Sequence, residues 1–497
     1  MHYVSTRKNH EQVTGSQAIT LGMVPEGGLF VPERVPRIDP AVCAGKPYQE
    51  VAEKILTPLL PDFSTDDMSQ CISRAYNSST FDTETIVDLV PLDAGRSIME
   101  LWHGPTAAFK DVALQIMPHF LAIAKRNLGN TSHTVILVAT SGDTGKAALE
   151  GFKNCEGISI IVFYPHEGVS EIQKLQMSTT DGDNTYVVAV KGNFDHCQNG
   201  VKRLLGSKTL REQFGRHGFE FSSANSINWG RLCPQIVYYW TSYCALVARK
   251  VITFGDPVNF CIPTGNFGNI LAGYYALRMG LPIGKLICAS NKNKVLTDFF
   301  ESGRYDSNRT FYRTMSPSMD ILISSNLERF LFEVTDHDAV SVDAWSRSLA
   351  DTGVFVVDAA TRERMSRIIV PEWVDEPEVS ATIARVFKLT GYVLDTHTAV
   401  AAAVSERIPA GSGTHTVIAS TASPYKFSHH VLAGMTGASP DDEFTAIERI
   451  AELSPMPVHR ALSNLRERPI LHSQVIERAQ MRETLLEIME RLTLRND

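Results

Sequence analysis

Short apolar runs recur along the chain, and most of them lead through a polar turn into a stretch with helical character. These runs occupy residues 135–139, 158–163, 186–190, 258–262, 285–289, 354–357 and 416–420. Strands that alternate with helices are typical of parallel sheets covered by helices. We therefore predict two doubly wound α/β units with largely parallel sheets. Ligands of such units bind in the crevice at the strand ends.

The remaining segments set the expected domain boundaries. A length of 497 residues allows roughly three domains. We predict a mixed α+β domain over 1–92, a smaller α/β domain over 93–235, a larger α/β domain over 236–435 and a helical C-terminal extension over 436–497. Residues 299–315 show no clear period and are interpreted as a long loop.

The composition excludes several classes of partner. The net charge is −8, so no excess of positive charge favours nucleic acid or an anionic membrane surface. No apolar run approaches the ~18 residues of a membrane span, and the polar first residues lack a signal-peptide core. The eight cysteines are scattered, and the histidines form no ligand-spaced cluster. We expect reduced thiols, no metal site and a cytoplasmic location.

One lysine, Lys110, ends an apolar, turn-rich stretch directly before a predicted helix. Beside Ala108, Phe109 and Val112 its amine would be desolvated, which favours the uncharged form. An uncharged amine condenses with aldehydes to a Schiff base. A lysine taken alone is more often a surface side chain whose head stays in water, so this hypothesis needs further support.

A first turn that could bind an anion lies within residues 135–148. The sequence there predicts a buried strand, a loop with the hydroxyls of Thr140, Ser141 and Thr144, and the start of a helix. Free backbone amides at such a helix start bind carboxylate or phosphate. A Walker P-loop is excluded, since Thr140 and Ala147 stand where that motif requires Gly and Ser/Thr.

A second turn of the same kind lies within residues 258–273, where two glycines flank Asn266 and Phe267. These glycines let the backbone approach an anion closely, and successive amides at a helix start form a phosphate site. Glycine-rich turns between strands and helices also occur without a ligand. One such loop therefore decides nothing by itself.

The lysine and the two loops are together the parts that pyridoxal-phosphate chemistry requires. The lysine would bond the cofactor, one loop would bind its phosphate and the other a substrate carboxylate. The ring nitrogen also needs a partner, and Ser420 and Thr421 offer hydroxyls at the end of an apolar run. A hydroxyl would meet a neutral ring nitrogen. An ordinary strand-end turn is the alternative interpretation of this segment.

With these motifs the chain resembles the bacterial and fungal threonine synthases, which are pyridoxal-phosphate enzymes of fold type II. The similarity extends from residues 3–7 and 25–32 to at least 424–427. Its other signatures are residues 103–110, 140–145, 192–195, 225–231, 265–269, 316–320 and 324–328. The resemblance implies two doubly wound, mostly parallel α/β domains with pyridoxal 5'-phosphate between them, plus the N-terminal domain and the helical extension.

The resemblance also implies which residues bind the cofactor. Lys110 would carry it, and Thr421, or else Ser420, would contact the ring nitrogen. Asp143 would lie near the 3-hydroxyl, but many fold type II relatives have Asn there, so this contact stays open. The residues expected at the cofactor phosphate are Gly265, Asn266, Phe267, Gly268 and Asn269.

The implied substrate is O-phospho-L-homoserine, which carries a carboxylate and a phosphate. The residues expected at the carboxylate are Thr140, Ser141, Gly142 and Thr144. The residues expected at the phosphate are Asn225, Ser226, Asn228 and Arg231. Amide, hydroxyl and guanidinium donors of this kind suit a dianion. An exposed polar turn is the alternative for the second set.

The implied activity is the conversion of O-phospho-L-homoserine and water to L-threonine and phosphate, by γ-elimination and β-replacement. A related phospho-lyase that releases 2-oxobutyrate would need the same residues, so the sequence separates the two poorly. A non-catalytic relative that binds metabolites belongs to a different class. It is disfavoured because Lys110 and residues 265–269 are intact. The expected form is a monomer or a homodimer.

Overall fold

The computed structural model of the chain describes residues 1–408, 414–438 and 442–496. The strands β1–β15 span Tyr3–Ser5, Phe30–Pro32, Asp88–Pro91, Arg96–Glu100, His133–Ala139, Ile158–Pro165, Thr185–Lys191, Phe219–Ser222, Val258–Pro263, Ile283–Ser290, Arg304–Asp306, Val354–Val356, Ile369–Trp373, His415–Ser420 and Val475–Glu477.

The helices α1–α21 span Gly15–Leu21, Tyr48–Leu56, Thr65–Ala75, Lys110–Leu114, Met117–Asn127, Asp143–Phe152, Glu171–Ser178, Phe194–Gly206, Lys208–Gly215, Trp229–Leu232, Ile236–Ala248, Gly268–Met279, Val295–Ser302, Leu327–Val334, Ala339–Thr352, Ala359–Ser366, Glu376–Thr390, Thr396–Arg407, Ser428–Thr436, Glu443–Leu453 and Met481–Asn496. Short 3₁₀ turns at Pro317–Met319 and Pro424–Phe427 lie close to the site described below.

The larger sheet has six strands in the order β13-β10-β9-β14-β4-β3. Its neighbours are parallel except β3, which runs antiparallel to β4. Strand β4, at residues 96–100, falls within the predicted smaller domain but pairs with β14, which falls within the predicted larger domain. The larger domain is thus built from chain on both sides of the smaller one, which a boundary drawn along the sequence does not capture.

The smaller sheet is fully parallel, with five strands in the order β15-β7-β6-β5-β8. All residues of β6 are buried, as expected for a central strand covered by helices on both faces. The extension predicted as helical also differs from expectation, since it contributes β15 as an edge strand beside β7. Of that extension, residues 439–441 and 497 lie outside the described residues.

The apolar run at 354–357 forms a strand, but not in either main sheet. β12 pairs antiparallel with β11 as a separate two-stranded ribbon. Its Phe355 stacks on Tyr305 at 5.1 Å between ring centroids. The predicted loop over 299–315 is therefore partly regular, because it contains the end of α13 and β11. The predicted parallel α/β architecture is otherwise confirmed.

The N-terminal segment is fastened to the larger domain at α14. Arg7 forms a two-point ion pair with Glu328, with Nη2–Oε2 at 2.8 Å. The fully buried Arg329 donates to Phe30 O (2.9 Å) and to Asn326 Oδ1 (2.8 Å). None of the described helices is both long and apolar enough to cross a membrane.

Candidate active site

Lys110 lies at the first position of α4, beside the chain that leaves β14. Phe109 N–H donates to Thr421 O at 2.9 Å, and Ala108 and Ala422 form an antiparallel bridge. This pairing brings Thr421, the hydroxyl expected at the ring nitrogen, next to the lysine expected to carry the cofactor. The structure therefore brings two predicted site residues together from distant parts of the sequence.

Asp143 is the centre of a buried polar cluster beside Lys110. Its Oδ2 lies 3.2 Å from Lys110 Nζ and accepts from Ser318 Oγ at 3.1 Å. Its Oδ1 accepts from Gln173 Nε2 at 2.8 Å and lies 2.9 Å from Lys426 Nζ. Burial opposes ionisation, but Lys426 and Lys110 hold the pKa of Asp143 well below its usual range.

The ionisation of Lys110 follows from the same cluster. Burial lowers the pKa of its ammonium, Asp143 opposes that change, and the charges of Lys426 and Arg231 lower it further. A lowered pKa leaves more of the amine uncharged near neutral pH and so able to attack an aldehyde. The electrostatics therefore favour the role that the sequence predicts for Lys110.

The loop at residues 140–144 is held in shape by its own first residue. Thr140 Oγ1 accepts from the N–H groups of Gly142 (3.0 Å) and Gly145 (2.9 Å). Gly142 has φ +145°, and a Cβ there would come within 2.5 Å of Gln173. Thr140 thus shapes the loop with its hydroxyl. Of the other residues expected at a substrate carboxylate, Ser141 is exposed and Thr144 is partly exposed.

The loop at residues 265–269 opens α12 in an unusual conformation. Phe267, the residue before the helix, has φ +62° in the left-handed region. The carbonyl oxygens of the loop are occupied, since Ser324 Oγ donates to Gly265 O (2.8 Å) and Asn326 Nδ2 donates to Asn266 O (3.1 Å). The loop is therefore anchored through its acceptors, which leaves the amides at the helix start for an anion.

Asn269 gives the second loop its most specific feature. Tyr238 OH and Tyr239 OH both donate to Asn269 Oδ1 at 2.7 Å, which orients the side-chain amide. Asn269 is buried, and its Nδ2 has no hydrogen-bond partner among the described residues. A buried donor without an acceptor is costly. An anionic oxygen at the start of α12 would remove that cost, so the loop fits a phosphate group.

The predicted phosphate cluster at 225–231 divides into two kinds of residue. Asn228 is structural, since it caps α10 and donates to Ile19 O at 2.9 Å. Asn225 and Ser226 lie nearer the solvent. Arg231 is buried, donates to Ala224 O at 2.8 Å and pairs with no carboxylate of the described residues. Burial lowers its pKa to about 10, so it stays charged at neutral pH.

Several residues of the site carried no assignment from the sequence. Ser318 and Lys426 lie in motifs that support the resemblance, but their contacts to Asp143 come from tertiary structure. Ser420, in contrast, was the alternative expected at the ring nitrogen. Its Oγ accepts from Trp102 Nε1 at 3.1 Å and from Thr398 Oγ1 at 3.0 Å, so its hydroxyl is already engaged. Ser318 N–H donates to His397 Nε2 at 3.1 Å.

One group among the described residues has metal-ligand spacing, namely Asp88, Glu100 and His103. His103 Nδ1 lies 2.7 Å from Asp82 Oδ1, and its Nε2 lies 2.9 Å from Glu100 Oε2. Burial opposes the charge, but these hydrogen bonds raise the pKa of His103 to about 9. A ring protonated on both nitrogens has no lone pair for a metal ion.

Two family models match the chain. Residues 2–76 match "Threonine synthase N terminus" and residues 98–420 match "Pyridoxal-phosphate dependent enzyme". Among solved structures, the PLP-bound threonine synthase of Brucella melitensis is 35% identical, with a TM-score of 0.87 and coverage of 99% of both chains. The fold and the site thus define a pyridoxal-phosphate-dependent enzyme of fold type II.

Sequence relatives show to which family of these enzymes the chain belongs. The chain is 35% identical to threonine synthase of Pseudomonas aeruginosa, over 88% of this chain and 92% of that protein. It is 38% identical to human Threonine synthase-like 1, over 95% of this chain but only 63% of that protein. The chain belongs to the threonine synthase family, and pyridoxal 5'-phosphate is its cofactor, so both expectations are confirmed.

Proposed function

We propose that this chain is a threonine synthase that converts O-phospho-L-homoserine and water to L-threonine and phosphate. One observation carries the proposal. Two features that can bind an anion, the start of α12 and the buried Arg231, accompany a largely buried lysine of lowered pKa. A cofactor phosphate needs only one such site, so the second is free for a phosphorylated substrate.

Arg231 is the residue that selects this substrate class. It is buried, charged and without a carboxylate among the described residues, so a phosphate group would supply the missing counter-charge. Its charge also lowers the pKa of Lys110, which supports a phosphate subsite near the reacting amine. A substrate that bears both an amino acid head and a terminal phosphate would span these two points.

The residues around Lys110 are suited to move protons on the substrate. When bound, the cofactor supplies an electron sink that makes the hydrogens at Cα and Cβ acidic. Lys110 would act as the base that takes the proton from Cα. Asp143 would receive a hydrogen bond from the ammonium so formed. Loss of a proton from Cβ would then expel phosphate from Cγ, and Arg231 would hold that phosphate. Protons would return to Cγ and Cα, and the hydroxide of water would add at Cβ while its proton passes to the phosphate.

Product analysis tests this proposal. The cofactor-loaded protein is mixed with O-phospho-L-homoserine, and threonine, 2-oxobutyrate and phosphate are quantified together. Threonine equal to phosphate supports the synthase. Equal amounts of 2-oxobutyrate and phosphate would instead make the chain a phospho-lyase, and no turnover would favour a non-catalytic metabolite-binding relative.

Two variants show whether the products come from this site. Lys110→Ala removes the proposed base and should abolish all three products. Lys146→Ala is the matched control, because Lys146 is also buried and paired with a carboxylate, Glu150, outside the proposed site. It should retain the product ratio of the unchanged protein.

A further inference from the structure

Lys426 is fully buried, and the proposed reaction assigns no role to its ammonium group. It lies in the 3₁₀ turn Pro424–Phe427, just beyond β14. Its Nζ donates to Thr106 O at 2.8 Å and lies 2.9 Å from Asp143 Oδ1. Burying an ammonium is expensive even when it is paired, so a purely structural role would be filled more cheaply by an apolar side chain.

The contacts of Asp143 divide between its two oxygens. Gln173 and Lys426 hold Oδ1, while Lys110 and Ser318 contact Oδ2. The first pair contacts the oxygen that Lys110 does not contact. Lys110 is therefore the more weakly held of the two lysines, with 3.2 Å to its single carboxylate contact, against 2.9 Å for Lys426.

The charges around these groups do not balance. Lys110, Lys426 and Arg231 are opposed by Asp143 and by Asp111, whose carboxylate accepts from Thr106 N–H and Oγ1. Burial raises the pKa of Asp111 to about 6, so this carboxyl is mostly ionised at pH 7. The nearby His459 has its pKa lowered to about 4 by burial and is neutral at pH 7. Among these groups, three cations thus face two carboxylates.

We propose that Lys426 is a positioning residue that competes with Lys110 for Asp143, and so favours Lys110 as an uncharged amine ready to bond the cofactor. The inference rests on Lys110 being the cofactor lysine, as proposed above. The segment that carries Lys426 also pairs with the segment before Lys110, through Ser423 N–H to Ala107 O. Backbone pairing therefore holds together the two segments that carry these lysines.

Removal of the Lys426 charge tests the inference on the apoprotein. In Lys426→Met, Asp143 pairs with Lys110 alone, and a like charge is lost. Both changes raise the pKa of Lys110. The measured quantity is the rate at which the apoprotein bonds pyridoxal phosphate, as a function of pH. The adduct is trapped by borohydride and located by peptide mass. In Lys426→Met this rate should therefore rise at a higher pH than in the unchanged protein. We expect a midpoint about one pH unit or more above that of the unchanged protein.

Further variants separate charge from packing. Lys426→Arg keeps the charge and should hold the midpoint near its original value. Asp143→Asn added to Lys426→Met removes the remaining carboxylate and should return the midpoint to lower pH. Lys146→Met removes another buried lysine and should leave the midpoint unchanged. If Lys426→Met does not fold, Lys426→Gln, which keeps a donor for Thr106 O, answers the same question.

The two proposals fail in different ways. An unchanged midpoint in every folded neutral variant of Lys426 would overturn the positioning role and leave the proposed function intact. Capture of the cofactor on another lysine, with Lys110→Ala still bonding it, would overturn the proposed function first. An upward shift of the midpoint in Lys426→Met that is absent in Lys426→Arg would establish the charge of Lys426 as the cause.

Discussion

Two carboxylates of the smaller domain, the buried Asp143 and the partly buried Glu150, each face two lysines, yet their surroundings are built differently. Glu150 is paired with Lys146 and Lys153, which lie four and three residues from it along the chain. Asp143 is instead faced by Lys110 and Lys426, which come from separate segments of the fold. The first cluster is a local feature of α6, whereas the second exists only in the folded protein.

The pKa values do not separate these clusters. Burial lowers the pKa of Lys146, as it lowers that of Lys110, and lysines hold both carboxylates ionised. Buried ion pairs of purely structural kind also shift pKa values. The distinguishing features are the surroundings of Lys110, namely an anion loop and an arginine that pairs with no carboxylate in the part of the chain that the structure describes. A lowered lysine pKa is therefore weak evidence of function until the neighbouring groups are known.

The largest expected effect is on catalysis at Lys110. Lys110→Ala should lower kcat by at least about 10³-fold, because it removes the group proposed to transfer the Cα proton. Lys146→Ala should stay within a few-fold of the unchanged protein at a temperature where both are folded. Steady-state release of phosphate measures both. Comparable losses in the two variants would erase the functional distinction between the clusters.

The next effect concerns Arg231. Arg231→Met should lower kcat/KM for O-phospho-L-homoserine by about 10²-fold, since a buried charge pair with the substrate phosphate is lost. Cofactor affinity, measured by equilibrium titration of the apoprotein, should change much less, because its phosphate is proposed to bind at α12. A loss of cofactor binding as large as the loss of kcat/KM would mean that both anions share one site.

The third effect is on stability. Lys146→Met should lower the free energy of unfolding by about 3 kcal/mol, because Glu150 loses its buried partner and keeps only the partly exposed Lys153. Denaturant unfolding of the apoprotein measures this difference. A change near zero would show that Lys153 alone neutralises Glu150 and that the local cluster is redundant.

The smallest effect is on the pH dependence of stability. It concerns a cluster in which one cation, His103, contacts two carboxylates, Asp82 and Glu100. Because its pKa is raised to about 9 from 6.5, its contribution to stability is complete below about pH 6.5 and is lost as pH rises through 9. The stability gap between the unchanged protein and His103→Gln should fall by about 2 kcal/mol from pH 7 to pH 9. A gap independent of pH would contradict the raised pKa.

The sequence predicted the elements better than their arrangement. The runs that became β5, β6 and β9 are apolar because both faces of those strands are buried, which leaves a strong local signal. The position of β4 depends on pairing with β14 from the far end of the chain. β12 has the same apolar character, but pairs outside the main sheets. Spatial neighbours of this kind are not encoded in local pattern.

The site shows the same division. Lys110 and the two loops could be predicted, because a helix start and a glycine turn are recognised from adjacent residues in the sequence. Lys426 carries none, since its burial and its contact to Asp143 depend on how β14 sits beside β4. Thr140 shows the opposite case, where a hydroxyl expected at a ligand is used by its own loop.

The edge position of β15 has a consequence for synthesis on the ribosome. β7 is complete at Lys191, but its partner residue Glu477 is translated 286 residues later. Until then the nascent smaller domain presents an unpaired strand edge, which is a site for association with other chains. Chaperone occupancy should therefore persist long after the residues of β5–β8 have emerged, and premature termination before residue 475 should favour aggregation over release of a shortened but soluble protein.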